Sequence, residues 1–295
     1  MARLAYLGTP DMAVGPLRAL TAAGHDIVLC VTRPDRRRGR GGAVTPSPVK
    51  IAATELGITV THVVDDLTQA GVELAVVVAY GRILPKALLD QVPMANLHFS
   101  LLPRWRGAAP MERAILAGDH ETGVCLMKVE EGLDTGPVYA RRTVKMDDET
   151  YLPALREQLV SVAGALVVDA LAQGVAGLPV PEQQRGETSI AQKITTEDLH
   201  LDWPDQARHL HRVIRLGRAW TTFRGKRLGV LEAAVDPDPD ANGAHIPGTL
   251  TGTNVATGLG TIHLLKVQPE SRGPMTADEW SRGIRPGVSE RLGSD

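Results

Sequence analysis

Aromatic residues are nearly missing from this chain: they make up 3% of its 295 positions, against 43% hydrophobic residues in all. Aliphatic and alanine side chains must therefore supply most of any core, and that apolar share excludes a disordered chain. Cysteine is scarce too. Cys30 and Cys125 are the only two, each inside an apolar strand-like run (IVLCV and GVCLMKV). Both read as small core residues, with a disulfide or metal pair as the alternative. No apolar run approaches the roughly 20 residues that span a bilayer. The opening MARLAYLGTP turns into a Gly-Thr-Pro loop before a signal-peptide apolar region could form. A cytoplasmic chain without membrane attachment is the expectation.

Two nucleotide signatures are also lacking. GTPDMA, not G-x-G-x-x-G, follows the first apolar run. Gly39-Arg40-Gly41-Gly42 has no Lys-Ser/Thr after it and runs into Pro46 and Pro48 instead of a helix. NAD and ATP are therefore not expected. Nor is a metal: His209 and His211 are two apart on a predicted helix and so face different ways.

The net charge of -2 argues against a surface uniformly coated for nucleic acid, yet the basic residues are unevenly placed. Arg33, Arg36, Arg37, Arg38 and Arg40 surround a single Asp35. Between Gln206 and Leu231 there is no acid, while Arg208, Arg212, Arg215, Arg218, Arg224, Lys226 and Arg227 are all basic. Two such regions fit contact with a polyanion, or simply two solvated surfaces.

The length favours two domains. Leu4–Leu7 reads as a strand ending in Gly8-Thr9-Pro10, Met12–Ala23 as a helix, and Ile27–Val31 as a second strand before the arginine loop. Pro48 opens a helix that Gly57 closes, and LAVVVA at 74–79 has the unbroken β-branched character of a strand buried on both faces. Strands alternating with helices imply a mostly parallel, Rossmann-like sheet with right-handed crossovers. Gly123–Val129 and Val138–Val144 are two further strands joined by EEGLDTG, and Leu152, Leu155, Leu159, Val162 and Leu166 mark one face of a helix. Gly177–Gly186, with Pro179 and Pro181, resembles a linker. The domains expected are 1–176, a linker 177–203, and 204–295. The last holds a helix near Asp205–Leu216 and short strands separated by Pro, Gly and Asp turns, which suggests a small OB-like β-barrel.

The pair most suggestive of chemistry is Asn96-Leu97-His98. On a strand these two side chains project from the same face. The Asn amide donates hydrogen bonds and the His imidazole holds or passes a proton near neutral pH, which suits a developing oxyanion. On spacing alone, a hydrogen-bonded core pair fits as well. Asp134 has its own plain reading, a turn carboxylate capping its loop.

The residues that follow supply more. NLHFSLLPRWRGAAP resembles the folate-dependent formyltransferases, and GTPD at 8–11, VVVAYGRILP at 76–85 and GLDTG at 132–136 agree with them in order and spacing. The Trp105–Pro110 string, TPSPVK at 45–50, AGDHETGV at 117–124, QKIT at 192, AWTTFRGKRL at 219 and KVQPE at 266 are similar to the branch that formylates methionyl initiator tRNA. The resemblance covers nearly the whole chain. It implies that 10-formyltetrahydrofolate donates the formyl group without a metal, that Asn96 and His98 stabilise the tetrahedral intermediate, and that Asp134 tunes His98 and helps to move the proton. It implies that Tyr80, Gly81, Arg82, Ile83 and Leu84 wrap the folate on one side while Ser100, Leu101, Leu102 and Pro103 line the other. It also implies tRNA contacts from Arg36, Arg37, Arg38 and Arg40 in the arginine loop and from Arg224, Lys226 and Arg227 in the second domain, in a monomer. Two departures stand out: IRLGRAW at 214 lacks a Pro-containing insertion before AW, and the segment before LAVVVAYG is brief. An amino sugar nucleotide or a purine precursor as acceptor, and a non-catalytic RNA-binding homologue, are the alternatives. The basic second domain speaks against the first and the intact Asn96, His98 and Asp134 against the second.

Overall fold

The computed structural model describes residues 1–37, 44–236, 246–287 and 290–294. Arg38 and Arg40, with the Gly39–Gly41 segment, lie outside them. The chain forms two compact units, one of Met1–Pro110, Glu121–Lys145 and Arg156–Ala191, the other of Met111–His120, Met146–Leu155 and Gln192–Asp295.

The first unit is built on a seven-stranded sheet. In order across it come Val138–Lys145, Glu121–Lys128, Met94–His98, Leu74–Val78, Arg3–Gly8, Asp26–Val31 and Thr59–Thr61. The five strands from Met94–His98 to Thr59–Thr61 pair in parallel. Glu121–Lys128 then runs antiparallel to both of its neighbours. The sheet is thus mostly parallel, as the alternating pattern predicts. The LAVVV strand is buried at every position, which is what a central strand covered on both faces requires.

Helix Val14–Ala22 packs against helix Leu152–Ala170 through small residues. A Cβ on Gly15 would come 2.5 Å from Val160 Cγ1, and one on Gly164 would come 3.2 Å from Ala19 Cβ. The helix Pro48–Glu55 starts where expected: Pro48 is at its first turn and the Ser47 hydroxyl accepts the Lys50 N–H. Just before it, Arg36 and Arg37 pair antiparallel with Val44 and Thr45.

The second unit is an antiparallel sheet in the order Ala219–Phe223, Lys226–Asp236, Thr261–Pro269, Asn254–Ala256, Leu250–Thr251, with Met275–Thr276 added beside Thr261–Pro269. Its two edges are bridged by the segment 290–293. The Gly293 N–H donates to the Thr222 carbonyl, the Leu292 N–H to Gly248, and the Leu250 N–H to Glu290. The segment thereby links the two edges of the sheet, giving a small barrel-like unit. Its core gathers Trp203, Leu210, Ile214, Val230, Ile262 and Trp280. The C-terminal helix Ala277–Ile284 begins with a reciprocal capping box between Thr276 and Glu279. Among the described residues no helix is long and apolar enough to cross a membrane.

The helix Ala207–Ile214 separates its two histidines as expected, His209 exposed and His211 buried. His211 Nε2 lies 3.0 Å from the Ala233 carbonyl. Burial, the largest cause, pushes its pKa below the ordinary value of 6.5; Arg215 acts in the same direction, while Glu149 and Asp148 oppose it. Below that ordinary value the unfolded chain takes up a proton that the folded one resists. Stability is therefore fully present above pH 6.5 and declines as pH falls towards the folded pKa. The Tm is expected to drop as pH falls below 6.5, and His211→Gln should flatten that portion of the curve. An unchanged slope in the variant would rule His211 out as its source.

Arg215 corrects an impression given by the basic run. It is only 3% exposed, and its Nη1 donates to the Asp147 carbonyl at 2.8 Å. It stitches the loop before Leu152 into the second unit and presents no charge to a polyanion.

Candidate active site

The strand Met94–His98 is pinned by backbone ladders on both sides, to Leu74–Val78 and to Glu121–Lys128. Asn96 and His98 therefore leave the sheet from one face at a fixed spacing. Opposite them on the antiparallel neighbour stand Met127 and Cys125. Cys125 packs with Leu102, Met127 and Val138; burial pushes its thiol up, so it supplies no thiolate nucleophile.

His98 is 5% exposed, with Nε2 2.8 Å from the Trp105 carbonyl oxygen. A carbonyl can only accept, so Nε2 carries a hydrogen and Nδ1 is the atom where the exchangeable proton comes and goes. Nδ1 lies 3.5 Å from Asp134 Oδ2, and that same oxygen accepts the Gly107 N–H at 2.8 Å. The arrangement can receive a proton at Nδ1 and place the resulting imidazolium beside a carboxylate. The Asn96 amide, half-buried on the same face, makes no hydrogen bond to another described residue, so its donors are open to a bound group.

The loops around this pair are held in uncommon backbone conformations. Within the described part of the first unit, the non-glycine residues in the left-handed region are Ala79, Trp105 and Asp134, with φ of 47°, 61° and 50°. Each such residue costs on the order of 1–3 kcal/mol and persists where its surroundings enforce it. Here the enforcement is local. A Cβ on Gly136 would lie 1.9 Å from the Lys128 carbonyl oxygen, so the GLDTG loop closes directly onto the strand that precedes it.

The expected folate-side residues fall into distinct environments. Tyr80 is buried at 3% exposure, and its hydroxyl has no hydrogen-bond partner among the described residues. Gly81, Arg82 and Ile83 are exposed, and Leu84 is half-buried. Arg33 donates to the Gly81 carbonyl at 2.9 Å, tying the base of the arginine loop to this segment. Ser100 is buried and donates to the Arg104 carbonyl at 2.6 Å. Leu102 packs with Cys125, Met127 and Val138, Pro103 is buried, and Leu101 is half-buried.

The expected tRNA-binding residues are divided as well. Arg36 is exposed. In the second unit Lys226 and Arg227 are exposed, and Arg227 lies over the Trp220 ring at 4.5 Å. Arg224 is engaged by both carboxylate oxygens of Glu290 and sits over Phe223.

Two side chains at this site carry no signal in the sequence. Ser189 accepts the Trp105 N–H on its hydroxyl at 2.9 Å. Gln184 donates to the carbonyls of Asp134 and Gly136, each at 2.8 Å, and accepts from Arg106 Nε and Nη2 at 3.0 and 2.7 Å. Both come from the stretch whose Pro, Gly and polar composition reads as a linker.

Comparison with known proteins identifies the family. Residues 2–171 match the family model described as formyl transferase, and residues 193–285 match that of the formyl transferase C-terminal domain. A methionyl-tRNA formyltransferase from Jannaschia sp. is 43% identical, with 96% of this chain and 97% of that protein covered. Among solved structures, the methionyl-tRNA formyltransferase from Clostridium thermocellum superposes with a TM-score of 0.56 at 15% identity, covering 89% of this chain and 100% of its own. The N-formyltransferase from Helicobacter canadensis in complex with folinic acid and dTDP-3-aminofucose gives 0.69 at 15% identity, over 90% and 99%. Those two structures speak to the fold; the sequence matches speak to kinship. The chain belongs to the formyl transferase family and, within it, to the methionyl-tRNA formyltransferases.

Proposed function

We propose that this protein transfers the formyl group of 10-formyltetrahydrofolate to the α-amino group of methionyl initiator tRNA. The observation that carries the reading is His98, its Nε2 fixed on the Trp105 carbonyl and its Nδ1 facing Asp134, with Asn96 on the same face. In this reading the methionyl nitrogen attacks the formyl carbon, forming the new C–N bond and an oxyanion. The Asn96 amide and the protonated His98 stabilise that oxyanion, and Asp134 balances the imidazolium charge. That imidazolium carries the proton shed by the attacking nitrogen, taken up at Nδ1, and hands it on to the folate nitrogen. The old C–N bond then breaks and tetrahydrofolate leaves. No covalent intermediate on the protein is needed.

The surroundings support a folate donor. The buried, unpartnered Tyr80 hydroxyl is the type of group a polar ligand atom satisfies. Beside it, the backbone of 81–83 is exposed on a turn that begins at the left-handed Ala79. Tyr80–Leu84 and Ser100–Pro103 would enclose the folate. In the proposed division of labour, residues 1–176 bind folate and carry the chemistry, 177–203 join the domains, and 204–295 contact the tRNA. The exposed Arg36, Lys226 and Arg227 would meet phosphates. Arg37, Arg38, Arg40 and Arg224 complete the proposed contact set, with Arg224 needing to exchange Glu290 for phosphate.

The direct test is incubation of the purified chain with 10-formyltetrahydrofolate and charged initiator tRNA, reading formyl-methionyl-tRNA. Formation that weakens with added salt is the expected result, because phosphate contacts release counterions. No product, under conditions where a known formyltransferase works, would overturn the reading.

A further inference from the structure

We propose that the segment 182–191 is a strap that sets the geometry of the reaction centre, and that Gln184 is its principal positioning residue. The proposal rests on His98 and Asp134 being that centre.

The strap runs across both loops that hold the pair. At one end Glu182 exchanges two backbone hydrogen bonds with Val138, immediately after the GLDTG loop, at 2.8 and 2.9 Å. At the other, Ile190–Ala191 pairs in parallel with Arg106–Gly107. Gly107, at φ +119°, lets the two backbones meet: a Cβ there would come 2.9 Å from the Ala191 carbonyl oxygen. Between these anchors the Ser189 hydroxyl takes the Trp105 N–H. Trp105 is the residue whose carbonyl fixes His98 Nε2.

Gln184 joins the two loops with one amide. Its Nε2 gives both hydrogens to carbonyls, those of Asp134 and Gly136, while its Oε1 accepts from the Arg106 guanidinium. The partners leave no freedom of orientation. A flipped amide would set hydrogens against a guanidinium and an oxygen against two carbonyls. Arg106 directly precedes Gly107, whose N–H holds the Asp134 carboxylate. The same Gln184 side chain therefore fixes Asp134 through its own carbonyl and through the strand that grips its carboxylate. Gln184 bonds the backbone carbonyl of Asp134 and neither its carboxylate nor His98, so its effect on turnover passes through the placing of Asp134.

Two variants test this. Gln184→Met keeps the length of the side chain and removes all four bonds. Gln184→Glu keeps a charge-assisted pairing with Arg106, which preserves the fold, but has no hydrogen to give the two carbonyls. Each is expected to lower kcat about 10- to 100-fold while changing both KM values less than about threefold. In an Asp134→Asn background the Gln184→Met change should add almost nothing, because the residue it positions has already lost its charge. The NMR titration of the His98 ring gives a readout independent of turnover: in both Gln184 variants it should move towards that of Asp134→Asn. Multiplicative rate losses in the double variant, or a wild-type His98 titration in both single variants, would overturn the proposal. If the wild type itself fails to formylate, the functional reading falls, and the His98 titration still decides whether Gln184 positions the pair.

Discussion

Replacing His98 with alanine is expected to lower kcat by about 10³-fold or more at saturating folate and tRNA. General acid–base catalysis contributes about 10²–10⁴-fold, and loss of one oxyanion donor about 10²–10³-fold. In the proposed mechanism His98 supplies both at a single atom, because Nε2 is committed to Trp105 and leaves Nδ1 alone to take the proton. The two contributions therefore disappear together and do not multiply. The fold should tolerate the change at about 1–2 kcal/mol, since the Trp105 carbonyl is also approached by the Ser100 hydroxyl at 3.4 Å. Single-turnover rates together with Tm would separate the two effects. A variant within about tenfold of wild type would remove His98 from the chemistry.

Asp134→Asn should be the next most damaging change, about 10²–10³-fold in kcat. Asparagine retains an oxygen for the Gly107 N–H, so the loop should keep its place. What goes is the charge. The imidazolium formed at Nδ1 would then lose the carboxylate 3.5 Å away, and proton uptake would become harder at the moment of attack. Asp134→Ala should cost more, because it also leaves the Gly107 N–H without its acceptor. Combining His98→Ala with Asp134→Asn should give a rate close to His98→Ala alone, since the carboxylate works through the ring. Near-normal turnover in Asp134→Asn would mean that Asp134 only closes its own loop, as its turn position alone suggests.

Much of the first unit can be read from periodicity. LAVVV at 74–78 has no polar face, and only a strand covered on both sides accommodates that. The two-residue period of a strand likewise places Asn96 and His98 on one face from their spacing alone. The antiparallel insertion of Glu121–Lys128 is harder to see. An alternating pattern states which side of a strand is buried and says nothing about which neighbours it pairs with.

The strap is less legible still. Its strand pairings are a single bridge at Glu182 and two residues at Ile190–Ala191, and Gln184 acts through an amide on partners 48 to 78 positions away. Nothing in local composition distinguishes such a segment from a connector. Arg215 is hidden for a related reason. Its place in a basic run matches that of Arg208 or Arg212, and its burial is decided by carbonyls at Asp147 and Thr150.

The strap also bears on the order in which the molecule comes to life. Glu182, Gln184 and Ser189 close loops of some 45 to 85 residues when they reach Val138, Asp134, Arg106 and Trp105. The partners sit on loops that hold their places only once the strands beside them have paired, so the strap docks after the sheet it crosses. During refolding, the sheet can therefore be complete while His98 and Asp134 still lack their final spacing. The last stage of maturation would be a small, almost spectroscopically silent docking of about ten residues, and it would turn a folded protein into an active one.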